Sequence, residues 1–360
     1  MTPVENIPRR RPATIVDVAE RAGVAIGTVS RYLNGHPIRR GNLDQIKEAI
    51  EALGYRRNAV AAAMKTDLTN VVGFLVPPPT EFHAAVLEQL SRAMRPSGRA
   101  LLTYCHTMDD ASLVEALDFF ESHRVDCLVM AGEEDAADHI HHLAKSGMPV
   151  ILYDNDVRGI PVDRVFVENR AASFRAVSHL IDIGHTDVAC IAGSLHDSAG
   201  RERYEGYVQA LRSRGLEVNP DYTVPGEWNE TKGYSAMLRL VSLKRPPTAV
   251  FSCNYNMTVG GLRLLKEHGL RIPDDLSLAS FDDVPLFSLH EAGITAVAQP
   301  VAKIAETIDS IISSRLSDGG GASHEPHNIT LNCDIILRGS TRRRITPVEI
   351  ERTGNDNGQR

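Results

Sequence analysis

Thr28, Ser30 and Arg31 lie within four residues of one another, and all three side chains carry hydrogen-bond donors. Such a set can donate to phosphate oxygens and to base edges. Val24 and Val29 fall where they plug beneath the same short segment, so the donors point away from them. Just upstream, Val16, Ala19 and Glu20 follow helical spacing with Ala19 facing inward, and its small side chain lets two helices cross closely. Gly23 follows this first helix where a left-handed residue is wanted. The stretch from Ile15 to Asn34 therefore predicts two short helices joined by a turn, the second able to lie in the major groove of DNA.

Charge supports that chemistry. The chain holds 39 Lys and Arg against 46 Asp and Glu, but its first 66 residues hold 11 against 6, leaving 28 against 40 for the rest. A basic head on an acidic body suits DNA binding through one small domain.

The elements that must position these residues follow from the pattern. At 360 residues the chain has room for a small domain and a large one. A third helix is expected from Asn42, as N-cap, to Leu53, with Ile46, Ile50 and Leu53 as its apolar stripe and Gly54 as its stop. Asn58 to Thr66 is an alanine-rich linker of high helix propensity. From Val71, short β-branched runs alternate with amphipathic helices in two series, the first ending near Tyr153 and the second beginning near Arg164. This predicts an α/β body with two lobes of doubly wound parallel sheet, whose ligands sit at the carboxyl ends of strands. Residues 1–13 and 341–360 read as a disordered and a flexible tail. Five scattered cysteines, no apolar run of membrane-spanning length and no signal-peptide core lead to the expectation of a cytoplasmic protein with reduced thiols and no membrane partner.

The chain resembles the LacI/GalR family of bacterial transcription regulators. The likeness rests on DVAERAGV, TVSRYLNG and EALGYRRN in the head. In the body it rests on HLIDIGHTDVACIAG, RYEGYVQAL, LRLLKEHGLRIPDDLSLASFDD, ITAVAQP and IILRGST. It covers Ile15 to Thr341. The resemblance implies a helix-turn-helix head over residues 14–57, a hinge helix over 58–69, and a periplasmic-binding-protein-like body over 70–340. The first lobe is expected over about 70–167 plus 301–324, and the second over about 168–299 plus 325–340. It also implies a homodimer on pseudo-palindromic operator DNA, with affinity set allosterically by a small effector, most naturally a sugar or sugar derivative. An activator or corepressor-type regulator of the same family is the alternative. A solute-binding protein is a remote one.

By family position, Ile26, Gly27 and Arg31 are the candidates for base reading, and Arg31 can grip guanine bidentately. Thr14, Thr28, Ser30, Asn34, Tyr55 and Asn58 match phosphate-holding positions, with capping or packing as the alternative for each. Asn42-Leu43 replaces the family's usual Thr-Arg pair, and Arg39 and Arg40 stand upstream as substitutes; Arg39 and Asn42 join the phosphate candidates. Met64 matches the leucine that the family wedges into the minor groove at the operator centre.

For the effector, the resemblance points to Arg203, Asn254 and Asp282, to Trp228 and to Phe82. Tyr153, Asp154, Glu168 and Gln299 fall at strand ends facing the cleft or its hinges. An aromatic face beside Arg and Asp suits a sugar. An ion pair between Arg203 and Asp282, a core Phe82 and a Trp228 that only caps a lobe stay open as alternatives. His139 and His142 share a helix face, but no further metal ligand can be placed, so a solvated face is the reading and no metal or cofactor is expected. No Gly-x-Ser-x-Gly elbow, phosphate-loop motif or GxGxxG after a strand occurs, and an enzyme is not expected. The tail after Thr341 lacks a leucine heptad series, which favours a dimer over a tetramer.

Overall fold

The computed structural model describes residues 11–56, 68–78, 80–107, 110–317 and 325–344. They divide into two compact units between Thr69 and Asn70. Asn58, Met64 and the linker that carries them lie outside the described residues.

The head holds α1 (Ile15–Ala22), α2 (Ile26–Leu33) and α3 (Arg40–Leu53). Thr14 and Asp17 cap α1 reciprocally, and Gly23 ends it at φ +62°. Val18, Ala19, Ala22, Val29, Ile46 and Ala49 form the buried core, with Val24 packed half-buried against them. The expected start of α3 needs correction. The Leu43 N–H reaches the Arg39 carbonyl at 3.1 Å, so the first helical turn closes around Arg40 and Gly41. Arg39 holds the cap position without a side-chain bond, and Asn42 is inside the helix.

The body contains two six-stranded sheets. The first has β1 (Val71–Val76), β2 (Ala100–Cys105), β3 (Cys127–Ala131), β4 (Val150–Tyr153), β5 (Asp163–Val167) and β11 (Asn328–Leu331), in the order β11-β5-β4-β3-β1-β2. The second has β6 (Val188–Ala192), β7 (Thr223–Pro225), β8 (Ala249–Ser252), β9 (Ser277–Phe281), β10 (Thr295–Ala298) and β12 (Asp334–Ile336), in the order β12-β10-β9-β8-β6-β7. All pairings are parallel except that of β10 with β12. Strands β3, β6 and β9 are buried at every residue, as expected for parallel strands with helices on both faces.

The helices are α4 (Glu81–Met94), α5 (Asp110–Ser122), α6 (Ala137–Lys145), α7 (Asn169–Asp182), α8 (Ser198–Ser213), α9 (Glu230–Val241), α10 (Tyr255–Glu267), α11 (Pro285–Leu289) and α12 (Val301–Ser317). Several start before their apolar stripe, because the side chains of Asp197, Asn229 and Asn254 cap the N-termini of α8, α9 and α10. None of the described helices is long and apolar enough to cross a membrane.

The chain passes between the sheets three times: at Glu168 after β5, at Gln299 and Pro300 after β10, and at Asn332 and Cys333 between β11 and β12. The expectation that residues 325–340 all join the second lobe is corrected here. Asn328–Leu331 pairs in parallel with β5, because α12 packs on α4 of the first lobe and the chain covers the open edge of β5 before crossing. Glu168 ties two crossings together. Its Oε1 accepts from Arg175 Nη2 at 2.7 Å and from the Cys333 N–H at 3.0 Å.

Candidate functional site

In the head, α2 presents its outer face. Ile26 is 47% exposed although it is apolar, Gly27 and Arg31 are exposed, and Thr28 and Ser30 are half-buried. A Cβ built on Gly27 would meet nothing within 4 Å, so that position faces open space. Ala25 provides no side-chain cap for α2, which leaves first-turn amides for an outside acceptor such as phosphate. Asn34 and Arg39 are exposed, and Asn42 is half-buried. Two expected phosphate ligands are otherwise engaged. Thr14 donates its N–H and its hydroxyl to Asp17 Oδ2, both at 2.7 Å, and Tyr55 packs half-buried on the head core.

In the body, the carboxyl ends of both sheets gather polar side chains. Asp154 follows β4, Asp282 follows β9, Gln299 follows β10 and Trp228 lies just beyond β7. Asp154 (φ +63°), Trp228 (φ +60°) and Asp282 (φ +70°) all adopt left-handed backbone. A non-glycine residue in that region costs of the order of 1 kcal/mol and persists only where its surroundings hold it. For Trp228 the restraints are visible. Its Nε1 donates to Asp197 Oδ2 at 2.7 Å, its carbonyl accepts from Asn256 Nδ2 at 3.3 Å, and its ring lies against Gly193, where an added Cβ would collide with it.

Arg203 on α8 is the centre of the constellation and is only 3% exposed. Nε donates to Asn169 Oδ1 and Nη1 to the Cys253 carbonyl, both at 2.8 Å. The guanidinium stacks 3.7 Å from the Phe281 ring centroid and 5.3 Å from that of Trp228. Its ion-pair partner is Asp154 at 3.9 Å. Asp282 instead accepts from Gln299 Nε2 at 2.7 Å and from the Tyr255 N–H at 3.3 Å, so the Arg203–Asp282 pair does not form. Asn254 spends its Oδ1 on the Met257 N–H at 3.0 Å. Tyr153 is fully buried and stacks on Phe74 at 5.6 Å, so its ring lies beneath the cleft and supports half-buried Phe82 at 6.4 Å.

The structure adds three groups that the pattern alone did not single out. His83 lies 3.5 Å from Asp154, and its Nε2 is buried without a hydrogen bond. Burial pushes the Asp154 carboxyl up, but His83 and Arg203 more than reverse this and hold it below the usual carboxylate range. Asp197 is pushed up by burial despite the Trp228 and Gly200 N–H groups. Glu133 is pushed up to about 7, first by burial and then by Asp197, Asp135 and Asp154. The usable signal was position, since Glu133 stands two residues past the end of β3 and Asp197 caps the helix after β6. A cavity of about 520 Å³ opens on the crossing side, bounded by Asp154, Asp156, Glu168, Asn169 and Glu202.

Comparison with known proteins matches residues 14–58 to a model described as bacterial regulatory proteins, lacI family. Residues 177–341 match a periplasmic binding protein-like domain. The chain belongs to the LacI family of bacterial regulatory proteins. Among its curated relatives, the transcriptional repressor PurR of Haemophilus influenzae is 28% identical over 336 residues, covering 92% of this chain and 99% of that protein. PurR of Pasteurella multocida is 27% identical over 337 residues, covering 92% and 100%. These LacI-family relatives are repressors and not enzymes. The structure of the regulator CelR with cellobiose is 25% identical, with a TM-score of 0.69 over 91% of this chain and 99% of that one. A lac repressor dimer bound to operator and an anti-inducer gives 0.80 at 22% identity, over 92% and 100%, and shares the fold. This LacI-family chain thus joins a helix-turn-helix DNA-binding head to a two-lobed body of the periplasmic-binding type.

Proposed function

We propose that the protein is a homodimeric repressor whose affinity for a pseudo-palindromic operator is set by a small ligand, a sugar or sugar derivative, held between the lobes of the body. The observation that carries this reading is the 3.9 Å approach of Arg203 on α8 to Asp154 at the end of β4. It joins the two lobes beneath Trp228, and the Ala199 N–H reaches Asn155 Oδ1 across the same gap at 3.0 Å. A ligand seated among these groups must change the lobe angle or fix it, which is the differential contact allostery requires. Residues 14–57 act as the head, 58–69 as the hinge with Met64 and Asn58 against DNA, and 70–340 as the cytoplasmic body. Arg31 reads a base with Ile26 in apolar contact beside it, while Thr28, Ser30 and Asn34 hold phosphates. Phe82, Arg203, Trp228, Asn254, Asp282 and Gln299 line the effector site.

Dimer formation is supported by α11, where Leu289 is 79% and Leu286 46% exposed beside an apolar groove formed by Val259, Leu262, Leu270 and Ile272. Exposed leucines in one patch mark an association surface. The test is operator binding by fluorescence anisotropy at stated salt, with and without ligands that raise the thermal midpoint. A ligand that stabilises the body and shifts operator affinity supports the proposal, and the sign of the shift separates inducer from corepressor. Stabilisation with no shift in operator affinity overturns allosteric control.

A further inference from the structure

Several exposed arginines of the body are paired with carboxylates, among them Arg92, Arg170, Arg214, Arg245 and Arg263. Among the described residues of the head, no arginine enters an ion pair, and the Arg11 and Arg56 side chains make no hydrogen bond. Exposed ion pairs add little stability, so going without them costs the head little. It leaves each guanidinium its full set of donors for an anion from outside.

The fold brings these two arginines to one place. A hollow of about 680 Å³ is lined by Arg11, Pro12 and Asp17 around the start of α1 and by Leu53, Gly54 and Arg56 at the end of α3. Both arms are anchored. Helices α1 and α3 pack on each other, and the reciprocal cap between Thr14 and Asp17 fixes the chain three residues after Arg11. Gly54 turns the chain at φ +58°, the Tyr55 N–H reaches the Ile50 carbonyl at 3.0 Å, and Tyr55 packs on the head core. Arg56 therefore leaves from a fixed point.

Asp17 is the carboxylate in this hollow, and its Oδ2 is already spent on the Thr14 N–H and hydroxyl, both at 2.7 Å. Two guanidiniums against one engaged carboxylate leave the hollow positive. It is also open, since Arg11, Pro12, Asp17, Gly54 and Arg56 are all exposed. Like charges held in one hollow repel each other until an anion lies between them. The head is a DNA-binding domain, and a duplex presents phosphates as a dense, regular array. Thr14 and Tyr55, the expected phosphate ligands that flank the hollow, are engaged inside the head. The cations beside them can take that contact over.

We infer that Arg11 and Arg56 form a clamp for the DNA backbone phosphates where α1 begins and α3 ends, adding grip without reading sequence. The test is fluorescence anisotropy of the full-length protein over about 50–200 mM salt. The probes are a duplex that the protein itself selects from a random pool and a scrambled duplex of the same composition. Arg11→Gln and Arg56→Gln should each lower the slope of log affinity against log salt by about 1, and the double variant by about 2. The fall should be the same on both duplexes, so that their affinity ratio stays within about twofold. Arg11→Lys and Arg56→Lys should keep the slope, as should Lys47→Gln, which removes an exposed head charge outside the hollow. The slope is the readout because partial unfolding of the head lowers affinity at every salt alike. Unchanged slopes in the glutamine variants overturn the clamp. A loss confined to the selected duplex overturns it too, since that marks base reading. An equal fall in Lys47→Gln also overturns it, since that marks head charge at large. A ligand that fails to move operator affinity leaves these slopes untouched, so the clamp and the allosteric reading fail separately.

Discussion

Trp228 Nε1 and Asp197 Oδ2 are 2.7 Å apart, and this one bond joins the turn after β7 to the cap of α8, because Asp197 Oδ1 also accepts the Gly200 N–H at 2.7 Å. Replacing Asp197 by Ala removes both bonds and is expected to cost about 2 kcal/mol, roughly one for the cap and one for the buried N–H. Urea unfolding measures it, and an unchanged midpoint would show that neither bond matters. Trp228 is also the only tryptophan in the chain, so ligand entry should change the intrinsic emission, whereas Trp228→Phe should lose both the signal and most of the affinity.

Arg203→Ala strands three acceptors in a nearly dry environment. A drop of about 3 kcal/mol or more in body stability is expected, the usual cost of leaving a buried charge and its partners uncompensated. Arg203→Lys should recover only part, since an ammonium cannot reproduce the planar fork. Full recovery of the thermal midpoint in the lysine variant would argue that the guanidinium geometry is incidental.

Glu133, two residues past the end of β3, links stability to pH. Its folded value, about 7, lies above the ordinary glutamate range, so the folded state holds the proton more tightly. Its stabilising contribution is complete below the unfolded value near 4.3 and is lost as pH rises through 7. Wild type should therefore lose on the order of 1–3 kcal/mol between pH 5 and 8 relative to Glu133→Gln. Denaturation at the two pH values decides, and parallel curves for the two proteins would place Glu133 in ordinary solvent.

Glu168 titrates in the opposite sense. Its hydrogen bond from Arg175, with the Cys333 N–H, holds the carboxyl below the usual range. The stability it contributes is present above the unfolded value and is lost as pH falls through the folded one. Because it staples two lobe crossings, Glu168→Ala should lower stability by about 1 kcal/mol and also change how strongly a ligand shifts operator affinity. A stability loss with unaltered coupling would confine Glu168 to a structural part.

In the head, Gly27→Ala meets no neighbour and should add about 1 kcal/mol to helix stability with little change in non-specific DNA binding. Arg31→Ala should cost about 1–3 kcal/mol against the operator and far less against random DNA. Equal losses on both DNAs would reduce Arg31 to a phosphate contact.

Much of the design was readable before the fold. The helix-turn-helix spacing, the Gly23 stop and the buried runs of β3, β6 and β9 are local properties, because period and backbone conformation depend on near neighbours. Helix starts were less legible, since polar caps such as Asp197 and Asn254 open helices ahead of the apolar stripe. The place of Asn328–Leu331 was not legible at all. Four residues of alternating burial carry no mark of which sheet edge they will cover, and α12 packing on α4 decides it.

The same division runs through the cleft. Residue types and their places at strand ends were determined by the sequence alone, as were the basic head, the acidic body and the candidate Arg203, Asp282 and Trp228. Who partners whom was decided only by the tertiary structure. Arg203 turns to Asp154, Asp282 turns to Gln299, Tyr153 sinks into the core, and His83 enters a site in which it had not been expected. Hydrogen bonds and charge interactions act over a few ångströms between segments far apart in the chain. Composition and spacing cannot set those distances until the sheets have brought the strand ends together.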